Sequence, residues 1–197
     1  MRVFPMALAL LCLPLAAPAA PAPVARTEAL ITAFEGVKPD DGSAASRAAR
    51  EKAFAALDDF LDFDTITAEP IRPHLAKFSA AQKQEFTKKF RELIRLVAYP
   101  DTGEFLRKAK RKIGPARETD GVQVVDVDLS LPEEDLETKV SFHWKPVAGT
   151  LRLVDVSFDG DSLVRDYQNQ FGRIVEKDGA AGLLRKADEK LAELKKK

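Results

Sequence analysis

Two periodicities divide the chain. Between Thr27 and Tyr99 apolar residues recur every three or four positions, past Gly114 they alternate with polar ones, and from Ser162 the helical spacing returns. In the first region Thr27 caps a predicted short helix carrying Leu30, Ile31 and Phe34, which Gly36 and Pro39 stop. After the turn-forming run Lys38-Pro39-Asp40-Asp41-Gly42, Ser43 opens a longer predicted helix with Ala53, Phe54, Leu57, Phe60 and Leu61 at helical spacing, ending near Phe63. Asp64-Thr65-Ile66-Thr67 reads as a further cap, with Pro70 and Pro73 keeping the next segment short or kinked. Ser79-Ala80-Ala81-Gln82 is a capping-box sequence. It opens the most amphipathic helix, in which Phe86, Phe90, Leu93, Ile94 and Val97 share a face while Lys83, Lys88, Lys89, Glu92 and Arg95 lie largely on the others. Tyr99-Pro100 is the expected stop.

The alternating region predicts strands with one wet and one dry face. Val125, Val127, Leu129 and Leu131 interleave with Asp126, Asp128 and Ser130, and Val140, Phe142 and Trp144 repeat the pattern. Pro132-Glu133-Glu134-Asp135 supplies a turn between them, and Ala148-Gly149 leads to a third strand over residues 151–158, whose Val154, Val156 and Phe158 complete the dry face. A weaker strand precedes them at residues 110–118. Leu163, Tyr167, Phe171, Ile174 and Val175 then mark a helix, followed by Gly179 and a last helix ending in Lys195-Lys196-Lys197, where basic residues suit the helix dipole. The predicted class is α+β, with about four antiparallel strands between N- and C-terminal helices.

The first residues belong to a different signal. Arg2 is followed by the apolar run from Met6 to Leu15 and the small-residue stretch Ala16-Ala17-Pro18-Ala19-Ala20, the order of a secretory signal peptide. Cleavage is expected after Ala19, since the alternative cut after Ala22 precedes Pro23. Residues 1–19 are then the signal, 20–26 a Pro/Ala-rich lead, and 27–197 one domain. Leu11 before Cys12 occupies the position where a lipoprotein signal needs Gly, Ala or Ser, so no lipid anchor is expected and the mature chain has no cysteine. Removing 19 of 197 residues leaves 178, enough for a single core that encloses a ligand. Acidic residues then outnumber basic ones by one, which gives no indication of nucleic acid.

The segment running from Leu151 through Asp155-Val156, Gly160-Asp161-Ser162-Leu163, Tyr167 and Gln170-Phe171 to Gly179 and Leu183 resembles the signature of the MlaC family. Asp62-Phe63-Asp64, the Ser79 cap, Phe86, Phe90-Arg91-Glu92-Leu93 and Tyr99 follow in the same family order, so the resemblance spans residues 54–191. It departs from the family at Leu75 and Leu151, where tryptophan is common, at Arg72, commonly glycine, and at Gln168-Asn169. The chain is thus similar to a distant member.

The resemblance implies a strongly curved sheet wrapped by helices, enclosing an apolar cavity for lipid acyl chains. Its candidate lining is Phe86, Phe90, Leu93, Ile94 and Val97 from the long helix, Val125, Val127, Leu129, Val140, Phe142, Trp144, Val154, Val156 and Phe158 from the strands, and Tyr167 and Phe171. The same residues describe a packed core equally well, and composition does not separate the two. The implied function is a periplasmic carrier that shuttles phospholipid between an outer-membrane lipoprotein complex and an inner-membrane ABC transporter with an MCE-domain subunit, maintaining outer-membrane lipid asymmetry. No cofactor is expected. A hopanoid-associated carrier of the same family is the alternative.

An enzyme reading has little to rest on. His74 has no partner histidine at metal-ligand spacing, and His143, between Phe142 and Trp144, is expected on the wet face with Asp126 and Asp128. Alternation would set Asp155 beside Leu151 and Leu153, partly buried, where it would pair with an arginine, cap a turn or act as a base. Asp155 with Tyr167 is the catalytic pair to consider, because curved-sheet folds also host enzymes. Lys108, Lys110, Arg111 and Lys112 form the densest basic cluster, read as a solvated face or as a surface for anionic headgroups.

Overall fold

Two serines set the starts of the longer N-terminal helices. In the computed structural model, which describes residues 22–195, Ser43 accepts the Ser46 amide at the head of α2 (Ala44–Asp58), and Ser79 forms a complete capping box with Gln82 at the head of α4 (Ala80–Leu93). The signal-peptide reading, Cys12 and the last two lysines lie outside the described residues. None of the described helices is long and apolar enough to cross a membrane.

Four helix boundaries differ from expectation. α1 (Pro23–Glu35) begins four residues before Thr27, because Pro23 suits a first helical turn that needs no N–H. Thr27 instead sits inside the helix, fully buried. α2 stops at Asp58, and Asp62 rather than Asp64 caps α3 (Phe63–Ala68) by accepting the Thr65 amide. A 3-10 segment, Glu69–Lys77, carries Pro70 and Pro73. The fourth difference is the largest: α4 does not end at Tyr99-Pro100 but passes through a π turn, Ile94–Ala98, into α5 (Tyr99–Lys108). There the Tyr99 amide bonds to the Ile94 carbonyl, five residues back. A proline ring clashes with the carbonyl four residues earlier in a regular helix, and the wider turn gives the Leu96 carbonyl room to avoid Pro100.

The sheet is antiparallel in sequence order: β1 (Lys110–Thr119), β2 (Val122–Leu131), β3 (Leu136–Val147), β4 (Thr150–Phe158) and a two-residue β5 (Asp161–Ser162). β5 is the strand beyond the four expected. Register pairs Trp144 with Leu153 but His143 with Asp155, so Val154 is the extra residue of a β-bulge. The bulge resets the alternation. Leu151 and Leu153 lie on the Trp144 face before it, Val156 and Phe158 rejoin that face after it, and Asp155 falls opposite His143 rather than beside Leu153. Beside the bulge, residues 60–62 pair with β4, the Leu153 amide bonding to the Phe60 carbonyl (2.7 Å) and the Asp62 amide to the Leu153 carbonyl (2.9 Å).

α6 (Leu163–Leu194) breaks at Gly179, whose φ of 69° only glycine adopts without strain, separating the two helical runs anticipated from sequence. Apolar residues collect in two clusters. One joins α1, α2 and the inner sheet face around Leu30, Phe54, Val125 and Trp144; the other joins the 3-10 segment, α4 and α6 around Ile71, Phe86, Phe90 and Val175. Ile94, on the π turn, packs against both.

Candidate functional site

Between these clusters lies a cavity of about 490 Å³, within the ~300–1,000 Å³ typical of small-molecule sites. Its sheet wall is Leu129, Val140, Phe142, Leu153, Val156 and Phe158, all on the inner face. Its helix wall is Phe90, Ile94, Ala98, Tyr99, Phe105 and Leu106, from one run of α4, the π turn and α5. Phe34, Leu61 and Ile66 add to the apolar lining, and Leu163, Val164 and Tyr167 of the first turns of α6 complete it. Three of the lining residues are large, apolar and exposed, Leu136 (40%), Phe158 (47%) and Leu163 (36%), and they mark the mouth.

Half of the sixteen residues singled out from the sequence stand on this cavity: Phe90, Ile94, Leu129, Val140, Phe142, Val156, Phe158 and Tyr167. Phe86, Leu93 and Phe171 line a separate groove of about 470 Å³ between α4 and the C-terminal arm of α6. Phe90 belongs to both, and its ring lies edge-on to Tyr167 (5.1 Å) and Phe171 (5.2 Å), so an aromatic layer separates the two spaces. Val125, Val127 and Trp144 pack in the α1–sheet core. Val97 is half-buried on the π turn, and Val154 is buried at the bulge.

The expected helix stop at Tyr99-Pro100 left Phe105 and Leu106 unassigned, and both line the cavity. Their spacing with Thr102 and Tyr99 is helical and was the available signal. Leu153 was hidden by the bulge.

A polar knot at the surface, reaching inward only through the buried Tyr99, holds the helix wall. The Asp58 carboxylate accepts the Tyr99 hydroxyl (2.8 Å) and Arg91 (2.6 Å), with Arg95 Nε at 3.8 Å, while Arg95 also reaches Glu51 (2.9 Å). Burial, and then the Asp58 charge, push the Tyr99 pKa far above its ordinary value, so this hydroxyl serves as a fixed donor. α2 is thereby tied to both sides of the π turn.

The groups considered for catalysis have other duties. Asp155 accepts the Ser162 hydroxyl (2.5 Å) and the Val156 (2.8 Å) and Val164 (3.1 Å) amides, capping the turn into α6. No hydrogen bond among the described residues joins it to Tyr167, whose hydroxyl burial holds above its ordinary pKa. His143 is half-buried, not fully on a wet face, and its Nε2 lies 2.8 Å from Ser157 Oγ. His74 packs against Gly172 of α6. Asp126 bonds to Ser141 (2.7 Å) and Arg117 (2.9 Å) on the outer face. Among the described residues no carboxylate–histidine group could hold a metal ion.

The basic cluster is divided. Lys108 pairs with Glu104 (2.7 Å) and Arg111 with Glu35, while Lys112 faces Asp128 in the β1–β2 register.

A family model described as MlaC protein matches residues 28–189, most of the chain. The chain belongs to the MlaC family. No curated protein matches the sequence. Among solved structures it is similar to a phospholipid-binding protein from Ralstonia solanacearum, determined in complex with a phospholipid. The TM-score is 0.66 at 20% identity, covering 86% of this chain and 94% of the other. At that identity the likeness is one of fold, and the α+β arrangement of sheet and flanking helices is common to both.

Proposed function

We propose that this chain is a periplasmic carrier that shelters the acyl chains of a phospholipid in the cavity between the sheet and the α4–α5 wall. The observation that carries this reading is the cavity itself, almost wholly apolar, in a member of the MlaC family. The fold it shares with a protein solved around a phospholipid supports the same reading. Each methylene moved from water into such a site contributes about 0.8 kcal/mol, so the chains supply affinity without headgroup contacts. Carriage needs no chemical step, which agrees with Asp155 being occupied in capping α6. Delivery runs between an outer-membrane lipoprotein complex and the MCE-domain subunit of an inner-membrane ABC transporter, and the signal peptide takes the chain there.

Mass spectrometry of lipid extracted from protein purified from its own host tests the proposal. Diacyl phospholipid at near-stoichiometric yield is the expected result. Hopanoid in its place would assign the alternative cargo within the same family, and a lipophile released chemically altered would overturn the carrier reading.

A further inference from the structure

Among the described residues the charged side chains on the cavity wall are both acidic, Asp101 and Asp155, and neither lysine nor arginine lines it. Asp155 is committed to the first turn of α6. Asp101, in the first turn of α5, is exposed, and its carboxylate joins no hydrogen bond or ion pair among the described residues.

The cations that follow on α5 and the sheet are turned away or already paired, and Lys110 falls in the β1–β2 register with Ser130, on the same sheet face as Lys112. Arg107 donates to the Val37 carbonyl (2.5 Å), and Lys108 pairs with Glu104. Arg111 shares the sheet face of Leu129 and Thr138, but pairs with Glu35 of α1. Lys112 and Lys139 stand on either side of Asp128 in one cross-strand row, and that row is on the sheet face opposite the cavity, one residue out of phase with Leu129 and Thr138. Arg165 lies roughly opposite Leu163 on the first turn of α6. Among the described residues, an anionic headgroup emerging from the cavity therefore meets no cation on its wall, whereas an ammonium meets the Asp101 carboxylate.

The geometry points to Asp101 as a specificity-determining residue that favours phospholipids carrying a headgroup ammonium over those whose headgroup is purely anionic. The inference rests on the carrier reading and adds the headgroup class to it. The pair forms at the exposed rim, where one ion pair gives a selectivity of about two- to five-fold rather than an absolute choice.

The test uses delipidated mature protein incubated with vesicles holding equal amounts of phosphatidylethanolamine and phosphatidylglycerol with identical acyl chains, followed by recovery of the protein and quantification of its lipid. The expected result is about two- to five-fold enrichment of phosphatidylethanolamine, lost in Asp101→Asn, reversed in Asp101→Lys, and reduced in 0.5 M salt because the rim is screened. Retention of both lipids at the donor ratio by the wild type would overturn the inference and leave the carrier reading intact, as would unchanged enrichment in Asp101→Lys. Retention of neither lipid would overturn both.

Discussion

Thr27 connects the first helix to the centre of the sheet through one hydroxyl. It accepts the Trp144 indole N–H (3.0 Å) and donates to the Pro23 carbonyl (2.9 Å), with Thr27 and Trp144 both fully buried. Thr27→Val keeps the shape and strands the indole N–H, which costs about 1–3 kcal/mol; Thr27→Ser keeps the bond and should retain most of the stability. Urea denaturation of the two variants measures the difference, and equal midpoints would show that the bond contributes nothing. His143 makes a pH prediction at the same scale. Burial is the main cause that lowers its pKa below the ordinary 6.5, against the opposing pull of Asp155. The folded state then favours neutral imidazole, while the unfolded chain protonates near 6.5. Its stability contribution is complete above 6.5 and declines as pH falls from there through the lower folded value. Thermal unfolding of His143→Gln should depend less steeply on pH than wild type below 6.5; parallel curves would contradict the assignment.

At the scale of elements, α1 and α5 are packed so closely that a side chain cannot stand between them. A Cβ on Gly103 would lie 2.5 Å from the Phe34 carbonyl oxygen, a backbone atom that moves only with its helix. Gly103→Ala should therefore destabilise by about 1–3 kcal/mol, and because α5 forms part of the cavity wall it should also weaken lipid retention. Gly172→Ala meets only the His74 ring, at 2.8 Å, and a ring can turn aside. Its midpoint should fall by less, and the opposite order in chemical denaturation would count against the argument. These elements also show what was legible in the sequence. The Ser43 and Ser79 caps, the switch to alternating strands and the break at Gly179 were readable because each depends on neighbouring residues alone. The passage of the helix through Pro100 was not, because the π turn that permits it is held by Asp58, forty-one positions from Tyr99 along the chain. The bulge at Val154 was equally hidden, since it follows from how β4 pairs with β3 and with residues 60–62. The candidate site suffered most from these two omissions. Without α5 and Leu153, the apolar face of the strands described a packed core as well as a cavity wall.

At the scale of the molecule, the decisive feature is that the described apolar residues do not close into one core. The α1–sheet cluster and the α4–α6 cluster meet around Ile94, and the space between them stays open. Open apolar space forfeits dispersion contacts that a packed interior would make. A ligand that fills it binds the native state alone, and stabilises by RT ln(1 + [L]/Kd), about 2.7 kcal/mol when its free concentration is 100 times Kd. Lipid-loaded protein should consequently melt several degrees above delipidated protein. Val156 provides the discriminating variant: it is half-buried on the cavity wall, opposite Phe142 in the β3–β4 register, with the cavity in front of it. A tryptophan there extends into space that the fold already leaves open, so the delipidated Val156→Trp protein should melt at or above the delipidated wild type. It should also retain at least tenfold less phospholipid, and lose the melting shift that lipid gives the wild type. A variant that binds lipid normally would place the acyl chains elsewhere, with the groove between α4 and α6 the next space to test by the same substitution at Leu93. A variant that melts far below the wild type when both are delipidated would instead show that the cavity is filled by the protein itself in solution.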